Sequence, residues 1–280
     1  MEIIPLSRHI GAEIRGVDLT QPLDEGTRKA IYAAWLDRLV LVFRGQNLDQ
    51  QQFLSATGNF GKLAELARPP EMRPSGMAKL LEGIMLISNI RENGQPIGLL
   101  PDGDMWFHHD MLHVDFPHKG TCLYSLEVPS RGGNTLFANC YRAYETLSPD
   151  LRDPLEGKRA FNSYNLGAQK RGDGKGAAQL LKMSSHPVFR THDETGRKAV
   201  NVNRLMTDHV EGLPREESDR LLKALWDHSE NPEWVYEHEW RAQDLIVWDN
   251  RCSMHARTDF PENERRLMLR TTLEGGLRPV

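Results

Sequence analysis

Four histidines and two aspartates crowd into the stretch 106-WFHHDMLHVDFPH-118, and imidazole and carboxylate together are ligands for divalent metals. Two pairs within it have the form His-x-Asp, His108 with Asp110 and His113 with Asp115. In an extended strand residues i and i+2 share a face, so either pair can offer both groups to one ion while His109 points away. Spacing alone does not choose between them. A third imidazole, His255, follows the strand-like run and turn 244-DLIVWDNR-251. One strand further on, Arg266, Met268 and Arg270 alternate with Leu267, Leu269 and Thr271. Two arginines on one inward face are costly unless each meets an anion, either an internal carboxylate or a bound one.

The chain that must position these groups has 280 residues, 39% of them apolar and 26% charged, an ordinary globular mixture large enough for a sizeable core. A single domain over 1–280 is expected. The net charge of −4 removes any global case for nucleic-acid binding, which rests on clustered positive charge. Cys122, Cys140 and Cys252 are odd in number and scattered, so reduced thiols are expected in place of a disulfide framework. No window approaches the roughly 18 apolar residues of a spanning helix, and MEIIPLSRHIGAEIRG lacks the layout of a signal peptide. A cytoplasmic protein with no membrane partner is the expectation, and a homo-oligomer is the default assembly.

Along the chain, AEIRGVDL alternates as a strand, Asp24 can cap a helix running to about Leu39, VLVFRG reads as a short buried strand, and Asp49 with Gln52 forms a capping-box start to a second helix. Residues 62–104 carry Pro69, Pro70, Pro74 and several glycines around the apolar piece GIMLISNI, and a stretch so interrupted reads as a lid insertion. From Trp106 onward strands dominate. TCLYSLEV is a strand, SRGGNT a turn into LFANC, and HPVFRTH-DETG-RKAVNVN a hairpin turning at Gly196. A helix runs from near Pro214 to about His228, and VYEHEW, DLIVWDN and RLMLRTTLEG close the chain as three more strands. Many strands with few helices, and no Gly-rich phosphate loop, fit a double-stranded β-helix, or jelly roll, better than a doubly wound sheet. The glycine-rich stretch 165–182 lacks Walker spacing and reads as a mobile solvated loop. Trp106, Phe107 and Trp248 are expected as core or pocket wall, His113 and His118 as hydrogen-bonded or solvated neighbours of the metal-bearing strand, and His186 and His192 receive no role.

The set HHD at 108–110, GGNT at 132–135, WDNR at 248–251, His255, and Arg266 with Arg270 resembles the taurine and 2,4-dichlorophenoxyacetate dioxygenase family, in order and spacing, from about residue 3 to the end of the chain. The resemblance selects His108 and Asp110 over His113 and Asp115. It implies that His108, Asp110 and His255 form a facial triad on Fe(II), that Thr135 and Arg266 hold the distal carboxylate of 2-oxoglutarate, and that Arg270 faces the acidic group of a small substrate, with Asp104 and Met111 beside it. Three protein ligands leave three octahedral positions, room for a bidentate 2-oxo acid and O2. Arginine's planar fork suits a carboxylate, and a threonine hydroxyl adds a donor.

The implied reaction hydroxylates a substrate carbon while 2-oxoglutarate becomes succinate and CO2, on an acid such as a sulfonate, an aryloxyalkanoate or an amino-acid derivative. Asp104 stands where taurine enzymes carry asparagine, and PPEMRPSGM lacks their histidine. An acidic side chain there would repel a second anion and welcome an amino group, so taurine itself is not the expected substrate. A zinc-dependent hydrolase with the same ligands and a non-catalytic jelly-roll binding protein are the alternatives.

Overall fold

The computed structural model describes residues 1–66, 70–100, 103–163 and 183–280; the expected loop at 165–182 lies outside them. Strands β1 (Glu2–Pro5) and β2 (Ala12–Arg15) lead into α1 (Glu25–Arg38), β3 (Val40–Phe43) and α2 (Gln50–Gly58). Asp24 caps α1 by accepting from the Thr27 amide, and Asp49 and Gln52 form the reciprocal capping box of α2; such caps satisfy amides left over at a helix start and are worth about 1 kcal/mol. Ile31, Ala34 and Trp35 fall at helical spacing and are the buried residues of α1.

Next come β4 (Met85–Ser88), the two-residue pair β5 (Arg91–Glu92) and β6 (Gln95–Pro96), β7 (Met105–His108), β8 (Gly120–Glu127) and β9 (Thr135–Asn139), followed by α3 (Cys140–Glu145) and α4 (Pro149–Arg152). Strands β10 (Arg159–Ser163) and β11 (Met183–Pro187), the hairpin β12 (Phe189–Thr191) and β13 (Lys198–Val200), and β14 (Thr207–Val210) precede α5 (Arg215–Ser229). The hairpin turns as expected, with Gly196 at φ +70°. The chain closes through β15 (Val235–His238), β16 (Leu245–Asp249), β17 (Ser253–Arg257) and β18 (Leu267–Leu273).

A major sheet runs β1-β2-β3-β16-β8-β18-β4 and a minor one β15-β9-β17-β7, the two-sheet frame of a jelly roll. One face of the major sheet, with Val40, Val42, Leu123, Ile246, Trp248 and Met268, shares a core with Phe137 and Met254 of the minor sheet. The opposite face, with Leu41, Phe43, Tyr124, Val247 and Leu269, packs with Trp35 and Phe53 of α1 and α2. Strand alternation thus sends Met268 and Leu269 into different cores.

Three expectations change. The segment 62–104 is not all insertion, because β4 pairs with β18 at the edge of the major sheet. Four strands close the chain, and the unforeseen one, β17, carries His255; all five of its residues are buried, so the alternation that marks a strand with one wet face is missing. Asp110 is not on the strand with His108. The ladder of β7 with β17 reaches His255↔His108, and beyond it Met111, at φ +59°, turns the chain in a conformation unusual for a side-chain-bearing residue.

Candidate metal centre

His108 and His255 are register partners on adjacent strands, their rings 4.1 Å apart between centroids. Nδ1 of His108 lies 2.8 Å from the Trp106 carbonyl. A carbonyl only accepts, so Nδ1 carries the proton and Nε2 keeps its lone pair for a metal. That Nε2 and the Nε2 of His255 each lie 3.9 Å from Oδ1 of Asp110, and one donor atom from each of the three residues falls within 4.8 Å of the others. Burial, reinforced by His108, holds the His255 imidazole well below its ordinary value, so it stays neutral. Burial would raise the Asp110 carboxyl, but Arg270, His255, His108 and the Thr121 hydroxyl together hold it well below the usual carboxylate range. Two imidazoles and one carboxylate, with donor atoms from all three converging, suit a non-haem Fe(II) ion. The His255 ring packs against Trp248, with centroids 4.7 Å apart, and Phe137 at 6.4 Å.

Arg266 is 2% exposed, and its Nε has no hydrogen-bond partner. It takes part in no ion pair among the described residues. Burial, with Arg257 nearby, pushes its guanidinium down to about 9, still a cation at neutral pH. An unmatched buried cation is costly unless an anion joins it, and the distal carboxylate of 2-oxoglutarate fits that need. The GGNT turn leads to Thr135. Gly132 and Gly133 have φ of +69° and +65°, and a Cβ on Gly132 would stand 2.3 Å from the Asp259 carbonyl, so only glycine closes this turn. The Thr135 hydroxyl accepts from Trp240 Nε1 at 3.0 Å, which leaves its own proton to donate.

Arg270 is not free to face substrate alone: its Nη2 lies 2.6 Å from Asp110 Oδ2, while its Nε is buried without a partner. Asp104 is exposed just ahead of β7, and Met111 is half-buried directly after Asp110.

The remaining groups of the opening cluster have separate surroundings. His109 is buried with Nε2 3.6 Å from Cys140 Sγ and Nδ1 3.4 Å from Asn203 Nδ2; burial pushes it down to about 3. His113 is buried, and His118, half-buried, is pushed down to about 4 by burial. Asp115 is exposed and pairs with Arg278 and the Ser184 hydroxyl, so the second His-x-Asp pair does not form a cluster.

A second convergence, His192, Asp249 and Cys252, also lies within metal-ligand distances, but its protons are committed. His192 Nδ1 accepts from the Glu194 and Thr195 amides, each at 3.1 Å, so Nε2 is protonated and donates to Asp249 Oδ2 at 3.1 Å. Asp249 also binds Arg251 at 2.6 Å, and burial holds the Cys252 thiol well above its ordinary value. This is a buried ion-pair network that fixes the WDNR turn.

Sequence reasoning assigned no role to Thr121, which donates to Asp110 Oδ2 at 2.6 Å, to Asn250, or to Arg257, whose guanidinium donates to the Gly103 carbonyl. Each left a signal: Thr121 is a hydroxyl on the same strand face as the inward Leu123, Asn250 sits inside the WDNR motif, and Arg257 shares a strand face with His255.

Known proteins resemble this chain over nearly its whole length. The family described as taurine catabolism dioxygenase TauD, TfdA family matches residues 2–272. The chain is 31% identical to an (S)-phenoxypropionate/alpha-ketoglutarate-dioxygenase of Sphingobium herbicidovorans, covering 98% of this chain and 95% of that one. It is 32% identical to an alpha-ketoglutarate-dependent 2,4-dichlorophenoxyacetate dioxygenase of Cupriavidus pinatubonensis, with 96% of each covered. A crystal structure of AAD-2 in complex with Mn(II) and N-oxalylglycine superimposes with a TM-score of 0.83 at 26% identity, over 100% of this chain and 99% of that one.

Proposed function

The chain belongs to the taurine catabolism dioxygenase TauD, TfdA family and is a 2-oxoglutarate-dependent non-haem iron dioxygenase, and on that premise we propose that it hydroxylates a small organic acid held by Arg270. In this reading His108, Asp110 and His255 hold the iron, Thr135 and Arg266 hold the distal carboxylate of 2-oxoglutarate, and Asp104 and Met111 border the substrate, all within one domain. The observation that carries it is the pairing of the three converging donors with a buried guanidinium, Arg266, that meets no carboxylate among the described residues.

Bound Fe(II), 2-oxoglutarate and O2 supply the oxidising chemistry, with release of succinate and CO2. The chain's part is to bind, orient and exclude water. His108 and His255 offer imidazole nitrogens and Asp110 a negative charge. Trp248 and Phe137 cover the His255 ring and keep water from that side. The Thr135 proton and the Arg266 fork fix one end of the 2-oxo acid by charge-assisted hydrogen bonds. Arg270 has one nitrogen on Asp110 and its Nε unpartnered, so it can take a substrate anion while touching a metal ligand. Membership of the family sets aside the zinc hydrolase and the non-catalytic binding protein.

Aryloxyalkanoic acids head the substrate classes, since two relatives are named for phenoxypropionate and 2,4-dichlorophenoxyacetate, followed by sulfonates and amino-acid derivatives. The test is succinate formation under air with Fe(II), ascorbate, 2-oxoglutarate and each acid in turn. Substrate-dependent succinate with a hydroxylated or cleaved acid is expected. If only uncharged compounds stimulate turnover, the assignment of Arg270 to a substrate anion fails.

A further inference from the structure

Asp110 has two oxygens, and they do different work. Oδ1 faces the two histidine Nε2 atoms, 3.9 Å from each. Oδ2 is turned away from them and receives Thr121 Oγ1 at 2.6 Å and Arg270 Nη2 at 2.6 Å. Behind Thr121 stands a chain of buried groups. Asn250 Nδ2 donates to Thr121 Oγ1 at 3.0 Å, and Trp248 Nε1 donates to Asn250 Oδ1 at 3.0 Å. Thr121, Trp248 and Asn250 are each buried.

The direction of this chain is fixed at its far end. An indole N–H can only donate, so the Asn250 oxygen must face Trp248 and the amide nitrogen must face Thr121. The Thr121 oxygen then accepts from Asn250, and its single proton is committed to Asp110. A hydroxyl that could otherwise rotate becomes a one-way donor to the carboxylate.

We infer that Trp248, Asn250 and Thr121 form a positioning relay that holds Asp110 with Oδ2 on Thr121 and Oδ1 towards the two histidines, so that the carboxylate would offer a metal one oxygen. Trp248 links two ligands in this way, because its ring also packs on His255. The relay is anchored from outside: Asp249 and Arg251, the residues flanking Asn250, are locked in an ion-pair network with the buried His192 and the exposed Asp193 and Glu194. Partners of metal ligands commonly carry ten- to hundred-fold in metal affinity.

The inference rests on Asp110 being a ligand, and the experiment separates the two claims. Co(II) is titrated into the purified full chain by calorimetry, and its visible ligand-field spectrum is recorded, for the parent, Asp110→Ala, Thr121→Val, Thr121→Ser and Asn250→Asp. Asp110→Ala should lose the site; if it binds Co(II) as the parent does, the ligand assignment itself is wrong. Thr121→Val keeps shape and removes the donor, and should weaken Co(II) about ten-fold and change the spectrum, while Thr121→Ser restores both. In Asn250→Asp the second oxygen can take the Thr121 proton away from Asp110, so it should behave as Thr121→Val does, which keeps the test open should Thr121→Val fail to fold. Parent-like affinity and spectrum in a folded Thr121→Val or Asn250→Asp, with Asp110→Ala inactive in binding, would overturn the relay and leave the ligand set standing.

Discussion

The guanidinium of Arg270 lies 2.6 Å from Oδ2 of Asp110, so the arginine expected to face substrate is joined to the carboxylate expected to face iron. The contact gives the half-buried arginine a carboxylate partner.

Replacing Arg270 with Gln should therefore separate two effects. A charged hydrogen bond contributes about 1.5–3 kcal/mol, so KM for an acidic substrate should rise roughly ten- to hundred-fold. Metal stoichiometry, measured by elemental analysis, should stay at the parent value, because Thr121 still holds Oδ2. An unchanged KM would remove Arg270 from the substrate site.

Arg266→Met tests the cosubstrate assignment by stability as well as by turnover. Deleting an unmatched buried cation relieves its desolvation cost, so without 2-oxoglutarate the variant should melt no lower than the parent. With a 2-oxo acid analogue at a hundred times its Kd, the parent should gain about 2.7 kcal/mol, visible as a raised Tm, and the variant should gain nothing. A variant still stabilised by the analogue would contradict the role.

The choice between the two His-x-Asp pairs can be checked directly. Asp110→Ala should abolish metal binding, whereas Asp115→Asn should leave it intact, because Asp115 spends its carboxylate on Arg278 and Ser184. Loss of metal in Asp115→Asn would reverse the assignment.

Acid should loosen the anchor of the WDNR turn. Burial opposes ionisation of Glu194, but Lys119, Arg251 and Tyr32 bind its carboxylate and bring it down from 4.5 to about 2. A carboxyl depressed in the folded state adds stability that is complete above its unfolded value and is lost as pH falls from about 4.5 towards 2. Glu194→Gln should therefore be less stable than the parent at neutral pH, with the difference shrinking across that window in urea melts. A gap that persists below pH 2 would assign the loss to packing.

The sequence alone determined the ligand types, the strand-rich architecture and the capped helices α1 and α2, because each depends on residues near one another in the chain: Asp24 on Thr27, Asp49 on Gln52, and alternation within β2. It did not reveal β17 as a strand, since a strand buried on both faces has no alternation to read, nor the turn that carries Asp110 away from the strand of His108. Only the tertiary structure decided that His255 meets His108 across a ladder, that Arg270 binds Asp110, and that Trp248, Asn250 and Thr121 point one way. Those relations join distant segments through hydrogen-bond direction and strand register, and neither is a property of a single stretch of chain.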